Sequence, residues 1–203
     1  MKVRLISPTH ALVDEAALVR SLFDQGLHAY HWRKAPFKPQ DFQDFLKQLP
    51  MGFHQRIWVH LSEIPAESIG EVNIHAKGEL AEQICAAEEN EQQKMLAKGN
   101  QWSTGAHTIS ALNARRKWAP ILLVSPVFPS ISKNSYQPED ANFGSQCLKI
   151  FPDAVALGGV GKPQIPILKD WGFKSCALMG SIWAGADEPL ENFKQIMTII
   201  NES

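Results

Sequence analysis

Eight short apolar segments, each followed by a helix or a helix-length segment, constrain the fold of this chain more than any other sequence feature. Strands that alternate with helices are typical of parallel βαβ units. Eight such units predict an α/β fold with a single closed (β/α)8 TIM barrel. The predicted strands span residues 3–7, 27–33, 57–61, 72–75, 101–105, 121–125, 154–157 and 176–179.

The length of 203 residues lies near the lower end of the range of about 200 to over 400 for such barrels. An open doubly wound sheet with fewer strands is the competing architecture, and the count of eight favours the barrel. A chain of this length suits one domain or at most two, and we expect a single barrel domain over residues 1–203. The sequence contains no internal repeat and no low-complexity tract.

Composition argues against several classes of protein. Lys and Arg number 20 against 21 Asp and Glu, so no basic excess indicates a nucleic-acid binder. No apolar run approaches the roughly 18–20 residues of a membrane span. The first residues lack the pattern of a secretory leader, and the three cysteines are widely spaced. We therefore expect a cytoplasmic protein without disulfides or structural zinc.

Parallel barrels place their active site at the carboxyl ends of the strands, and they frequently bind phosphate after strands seven and eight. In this chain Gly158 and Gly159 follow the seventh predicted strand, while Gly180 and Ser181 follow the eighth. Glycine allows the main chain to approach phosphate oxygens closely. A single glycine often only turns the chain, but two such sites at these two strands predict phosphate binding.

Hydroxyl and cationic side chains follow two other strands. Ser130, Ser132 and Lys133 lie in the irregular segment 129–143 after the sixth strand, and Arg33 and Lys34 close the second. Lysine and arginine both bind phosphate oxygens, arginine in a two-pronged geometry. The alternative interpretation is a solvated polar loop and a basic turn. Together, these residues predict a diphosphate site.

His107 ends the fifth strand, where an imidazole is able to transfer a proton near neutral pH. His60 and His75 end the third and fourth strands, so a metal site with His107 is conceivable. No HxH or HxxxH spacing supports it. Glu79 is the weak candidate for a magnesium ligand, because the third and fourth strands end without an acid.

Four segments occur in an order that resembles the thiamine phosphate synthase and TenI-like family: AHT at 106–108, SPVFPSISK at 125–133, ALGGV at 156–160 and MGSIW at 179–183. The segment 21–35, SLFDQGLHAYHWRKA, is similar to the family's first helix and second strand. The resemblance covers most of the chain and implies the same (β/α)8 barrel.

By this resemblance, the chain joins a hydroxymethylpyrimidine diphosphate to a thiazole phosphate and releases pyrophosphate with the help of Mg²⁺. Gly158, Gly159 and Ser181 would hold the thiazole phosphate. Ser130, Ser132 and Lys133 would contact the diphosphate, with Arg33 opposite. The expected partners are therefore small phosphorylated substrates, with His107, Lys133 and Arg33 as catalytic candidates.

Departures from the family pattern leave two alternatives open. The family has Asn-Asp at the end of the third strand, where this chain has His60 and Leu61, so the expected magnesium ligands are missing. A TenI-like thiazole tautomerase would need a phosphate site and an acid–base histidine, and His107 matches that position. A non-catalytic member that binds a thiazole phosphate is the second alternative.

Overall fold

A computed structural model describes residues 1–65, 69, 72–130, 138, 140–184 and 187–202. Eight parallel strands close into a barrel in sequence order, and the last strand pairs with the first. The predicted (β/α)8 TIM barrel is thereby confirmed. The strands are β1 (Lys2–Ile6), β2 (Ala29–Trp32), β3 (Ile57–Leu61), β4 (Asn73–Ala76), β5 (Trp102–Ala106), β6 (Ile121–Val124), β7 (Val155–Ala156) and β8 (Ser175–Leu178).

Within the described residues, helices follow seven of the eight strands and surround the barrel, and no helix is described between β3 and β4. Among the described residues they are α1 (Glu15–Asp24), α2 (Pro39–Lys47), α3 (Met51–His54), α4 (Gly78–Ala86), α5 (Glu89–Leu96), α6 (Ile109–Arg115), α7 (Phe143–Ile150), α8 (Gln164–Trp171), α9 (Gly180–Trp183) and α10 (Pro189–Glu202). None of these helices combines the length and the apolar character that crossing a lipid bilayer requires.

The alternation of side chains along the strands creates two apolar clusters. The larger cluster lies between the strands and the helices, where Leu5 and Leu122 pack against the apolar faces of the helices. The smaller cluster lies inside the barrel. Its members come from four adjacent strands: Ile6 of β1, Leu123 of β6, Val155 of β7 and Ala177 of β8.

The other half of the barrel interior is polar. The side chains that β2 to β5 direct inward include His31, His60, His75 and Ser103, which are all buried, and Trp58 stacks on His31 beside them. Barrel interiors are usually filled by branched aliphatic side chains. In this barrel, apolar packing on one side faces a group of imidazoles on the other.

Two segments differ from the sequence-based expectation. The segment 78–98, whose polar composition is typical of one long helix, contains α4 and α5, because Ala87 is extended at φ −68° and ψ 144°. No residue of α5 is buried, as expected for an exposed helix. Helix α7 was not predicted at all. It packs Phe143, Gly144 and Cys147 inward after the segment 129–143.

Candidate functional site

Two glycines after β7 hold the main chain close to the loop that follows β6. Gly158 and Gly159 have positive φ angles of 89° and 66°. A Cβ atom on Gly158 would lie 2.8 Å from the Cα atom of Pro126. One on Gly159 would lie 2.7 Å from the carbonyl oxygen of Phe128 and closer still to that of Pro129. Only glycine fits either position, and the two loops form one wall of the barrel mouth.

The carboxyl end of β8 provides further donors beside these glycines. Gly180 opens the short helix α9, and the hydroxyl of Ser181 is buried without a hydrogen-bond partner. Among the described residues, none accepts a hydrogen bond from the amide groups of Gly158, Gly159, Gly180 or Ser181. Because β7 and β8 are neighbours, these donors lie on one side of the mouth. Such donors suit the oxygens of a phosphate group.

His107 follows β5 at the same end of the barrel, and its side chain is exposed. Its Nδ1 atom lies 2.8 Å from the carbonyl oxygen of Ser125, which can only accept a hydrogen bond. The neutral ring therefore carries its proton on Nδ1 and its lone pair on Nε2. This arrangement suits a general base, with the ring held by the end of the neighbouring strand.

Arg33 and Lys77 bring positive charge to the mouth at the ends of β2 and β4. Burial lowers the pKa of both groups, and the Arg33 guanidinium lowers that of Lys77 further. The buried Nε atom of Arg33 has no hydrogen-bond partner in the described part of the chain. Lys77 was not predicted as a site residue. Its position two residues after the inward-facing His75 is the sequence signal that could have identified it.

The side chain of Lys34, the neighbour of Arg33, is directed toward helix α1. Its ammonium group lies 3.0 Å from the carboxylate of Glu15 and donates to the carbonyl oxygen of His10 at 2.8 Å. Tyr30 also donates to this carboxylate, at 2.6 Å. These contacts join β2 to α1 and give Lys34 a structural role.

The predicted diphosphate loop is only partly described. Ser130 is half-buried beside the wall formed by the two glycines. Ser132 and Lys133 lie outside the described residues, so their role in diphosphate binding stays a prediction.

The described residues do not fit a magnesium ion. Glu79 is exposed in the first turn of α4 and accepts a hydrogen bond from Gln83 at 3.1 Å. In the described part of the chain, the one group of three side chains that could hold a metal is His31, His60 and His75, with ligand atoms within 4.8 Å of one another. His107, which the sequence had suggested as the third member, is replaced by His31. Magnesium prefers oxygen ligands, so no chemical step is assigned to it from these residues.

The surroundings of the three imidazoles favour a hydrogen-bonded chain over a metal centre. Arg4 approaches Nε2 of His31 at 3.5 Å, while Nδ1 of His31 lies 3.1 Å from Nε2 of His60. His75 is held by the hydroxyl of Ser103 at 2.8 Å. Burial lowers the pKa of all three histidines, and nearby cationic groups lower it further. A divalent cation would add to this positive charge without a carboxylate to offset it.

Comparison with known proteins supports the fold. No model of a protein family matches the chain, and no curated protein matches its sequence. The chain is similar in structure to a thiamine phosphate pyrophosphorylase from Bacteroides thetaiotaomicron, with 20% identity, a TM-score of 0.73 and coverage of 99% of this chain and 98% of that one. A thiamine phosphate pyrophosphorylase from Pyrococcus furiosus gives 15% identity, a TM-score of 0.73 and coverage of 99% and 96%.

Barrels with other activities are also similar in structure. A 3-hexulose-6-phosphate synthase matches at 15% identity with a TM-score of 0.67, covering 98% of this chain and 99% of that one. At these identities the likeness establishes a shared barrel fold.

Proposed function

We propose that the chain binds a thiazole phosphate at the mouth of the barrel and couples it to hydroxymethylpyrimidine diphosphate, with release of pyrophosphate. The observation that carries the proposal is the set of donors after β7 and β8. Five donors have no acceptor within the described residues: the buried hydroxyl of Ser181 and the amides of Gly158, Gly159, Gly180 and Ser181. A phosphate group would accept these hydrogen bonds and remove the cost of a buried, unsatisfied hydroxyl.

The positive charge of Arg33 and Lys77 supports binding of the second, diphosphate-bearing substrate. In the coupling reaction the bond from the methylene carbon to the diphosphate breaks, and the thiazole nitrogen attacks that carbon. Negative charge accumulates on the departing pyrophosphate, and fixed cationic groups stabilise it. Lys133 and the hydroxyls of Ser130 and Ser132 are the predicted partners of Arg33 in this role.

The geometry of His107 favours a second candidate function, tautomerisation of a thiazole carboxylate phosphate. That reaction moves a proton between two positions of one substrate and requires no leaving group. With Nδ1 directed to the carbonyl of Ser125, the Nε2 atom is the group that takes and returns the proton. The donors after β7 and β8 would hold the phosphate in either reaction.

Calorimetric titration with thiazole phosphate and with a non-reactive analogue of the pyrimidine diphosphate, each with and without Mg²⁺, tests these proposals. Turnover of the substrates is measured in parallel. Magnesium-dependent binding of the diphosphate together with formation of the coupled product supports the synthase. Binding of thiazole phosphate without the diphosphate analogue, together with tautomerisation of a thiazole carboxylate phosphate supplied as a separate substrate, supports the second function.

Two further outcomes are informative. Binding of thiazole phosphate without turnover would identify a binding protein and overturn both enzymatic proposals. Failure to bind either compound would overturn the assignment of the phosphate site itself. The matched variant is Ser181→Ala, which removes one hydroxyl from the site and leaves its main chain unchanged.

A further inference from the structure

A second cavity opens at the opposite end of the barrel, where the strands begin. Its volume is about 610 Å³, within the range of about 300–1,000 Å³ typical of small-molecule pockets. Its walls include Lys2 and Arg4 of β1, Arg56 and Trp58 at the start of β3, Asp153 and Lys174. The donors of the proposed thiazole phosphate site lie at the other end of the strands.

Cationic groups outnumber carboxylates in this cavity. Four basic side chains contribute to its described lining, namely Lys2, Arg4, Arg56 and Lys174, against the single carboxylate of Asp153. Lys174 pairs with Asp153 at 3.0 Å. Arg56 donates to the carbonyl oxygens of Leu27 and His28, so its guanidinium is engaged in hydrogen bonds to the main chain. Within the described residues, Lys2 and Arg4 form no salt bridge, and their charge is uncompensated.

Arg4 is the more unusual of the two, because it is only 6% exposed. Its guanidinium lies over the ring of Trp58 at 5.2 Å and approaches His31 at 3.5 Å, and both of these groups are uncharged. Its Nε atom is buried and has no hydrogen-bond partner among the residues that the structure describes. A buried charge is ordinarily paired with an opposite charge, and this one has none among the described residues.

We propose that this cavity is a second ligand site, which binds the phosphate group of a small molecule through Arg4 and Lys2. These two residues are two positions apart on β1, so their side chains leave the strand on the same side. Gln55 and Gln101, which also line the cavity, contribute uncharged amide donors. A phosphate dianion would supply the negative charge that Arg4 lacks and would accept hydrogen bonds from both cationic groups.

His28 lines the same cavity and provides a local reporter of an anion there. Burial lowers the pKa of His28 to about 4, and the charges of Arg4, Lys2 and Arg56 contribute to the shift. A bound anion would favour the imidazolium form, so the pKa of His28 would rise. Lys174 and Asp153 complete the charged groups of the cavity, and their mutual ion pair leaves little net charge.

The experiment is a pH titration of the histidine ring signals by NMR, on the full chain, with inorganic phosphate, pyrophosphate or glycerol phosphate added. Sodium chloride at equal ionic strength controls for screening. We expect the pKa of His28 to rise by at least one unit, saturably, with at least one of the three compounds. An equal response to all three would indicate recognition of the phosphate group alone. A response only to glycerol phosphate would indicate that the site also recognises the organic part of the ligand.

Variants separate this site from the mouth of the barrel. The shift of His28 should persist in Ser181→Ala and disappear in Arg4→Met. Because Arg4 is buried, a second variant, Lys2→Met, tests the same site. We expect Lys2→Met to weaken the apparent affinity for the phosphate compound at least fivefold. Lys94→Met, on the exposed helix α5, removes the same charge elsewhere and should leave the affinity unchanged.

The proposal is overturned if His28 responds no more to phosphate compounds than to chloride, or if both Lys2→Met and Arg4→Met retain the full response. Neither result bears on thiazole phosphate binding at the mouth, which is measured separately through Ser181→Ala.

Discussion

The Nδ1 atom of His31 lies 3.1 Å from the Nε2 atom of His60 inside the barrel, and the two rings meet nearly edge to face. One ring donates a proton to the other, so protonating both would place two N–H groups against each other. Arg4 and Arg33 add positive charge nearby, and no described carboxylate balances it. The folded barrel therefore holds these imidazoles in their neutral form.

We expect the free energy of unfolding to decrease as the pH falls below about 6.5, the ordinary pKa of histidine in an unfolded chain. Burial lowers the pKa of His31 and His60 well below this value and that of His75 to about 3. Below pH 6.5 the unfolded chain therefore binds more protons than the folded one. Each such histidine contributes a slope of about 1.4 kcal/mol per pH unit. Urea unfolding between pH 7.5 and 5 measures this slope.

The matched variants for that measurement are His60→Gln and His10→Gln. His60→Gln should reduce the slope by roughly the contribution of one histidine. His10→Gln is the control variant, because it replaces an exposed histidine outside this buried group. An unaltered slope in His60→Gln would show that the imidazole chain does not control acid stability.

Gly159→Ala should destabilise the fold by about 1–3 kcal/mol, because a Cβ atom would clash with two carbonyl oxygens at a positive φ angle. It should also weaken thiazole phosphate binding, since the loop that presents the amides would move. Gly52→Ala is the control, because its Cβ would meet no atom within 4 Å. Equal stability of the two variants, measured by thermal unfolding, would contradict the clash.

Ser181→Ala should weaken thiazole phosphate binding about 10- to 100-fold, the range expected for a hydrogen bond to a charged group. The fold should lose little stability, because the removed hydroxyl is buried without a partner in the free protein. Calorimetry and thermal unfolding on the same sample separate the two effects. Ser21→Ala, on the exterior helix α1, is the control. Unchanged affinity in Ser181→Ala would exclude this hydroxyl from the phosphate site.

His107→Gln should lower the rate of tautomerisation by about 10²- to 10⁴-fold, because a general base would be lost. Thiazole phosphate affinity should stay within a few-fold of the original. In a synthase reaction that needs no proton transfer by this residue, the same substitution should have a much smaller effect. Comparing the two rates in one variant therefore decides between the two proposed activities.

Lys34→Met should destabilise the chain by about 3–5 kcal/mol, because it leaves the carboxylate of Glu15 largely buried without its cation. The double variant with Glu15→Gln should lose less stability than Lys34→Met alone. If Lys34 also contacts the diphosphate, as the sequence predicts, Lys34→Met should lower diphosphate affinity more than Glu15→Gln does. Equal affinities in the two single variants would limit Lys34 to its structural role.

The barrel itself could be predicted from the sequence, because each strand leaves a local signal. The apolar run at residues 121–125 is buried on both faces, and such a run is easily recognised. The position of Gly159 just after the seventh strand could also be predicted from the sequence. Helix α7 was missed because it follows a long irregular segment and is only eight residues long, although Phe143, Cys147 and Ile150 recur at helical spacing.

The polar interior could not be predicted in the same way. His31 and His60 are 29 positions apart and His60 and His75 are 15 apart, and only the strand register brings the three together. Lys34 and Arg33 are adjacent in sequence just after β2, yet Lys34 pairs with Glu15 of α1 whereas Arg33 lies near His60 and Lys77 at the barrel mouth. Spacing along the chain therefore identified the strand ends without revealing which side chains share the barrel axis.

The contact between Gly159 and the carbonyl groups of Phe128 and Pro129 also limits how this barrel could be diversified. A library that varies residues 128–130 to change ligand preference would keep its active members only on a background with glycine at 159. Conversely, a lineage that acquired a side chain at 159 would first have to rebuild the loop after β6. The loops after β6 and β7 must therefore change together in evolution, although about thirty positions separate them in the chain.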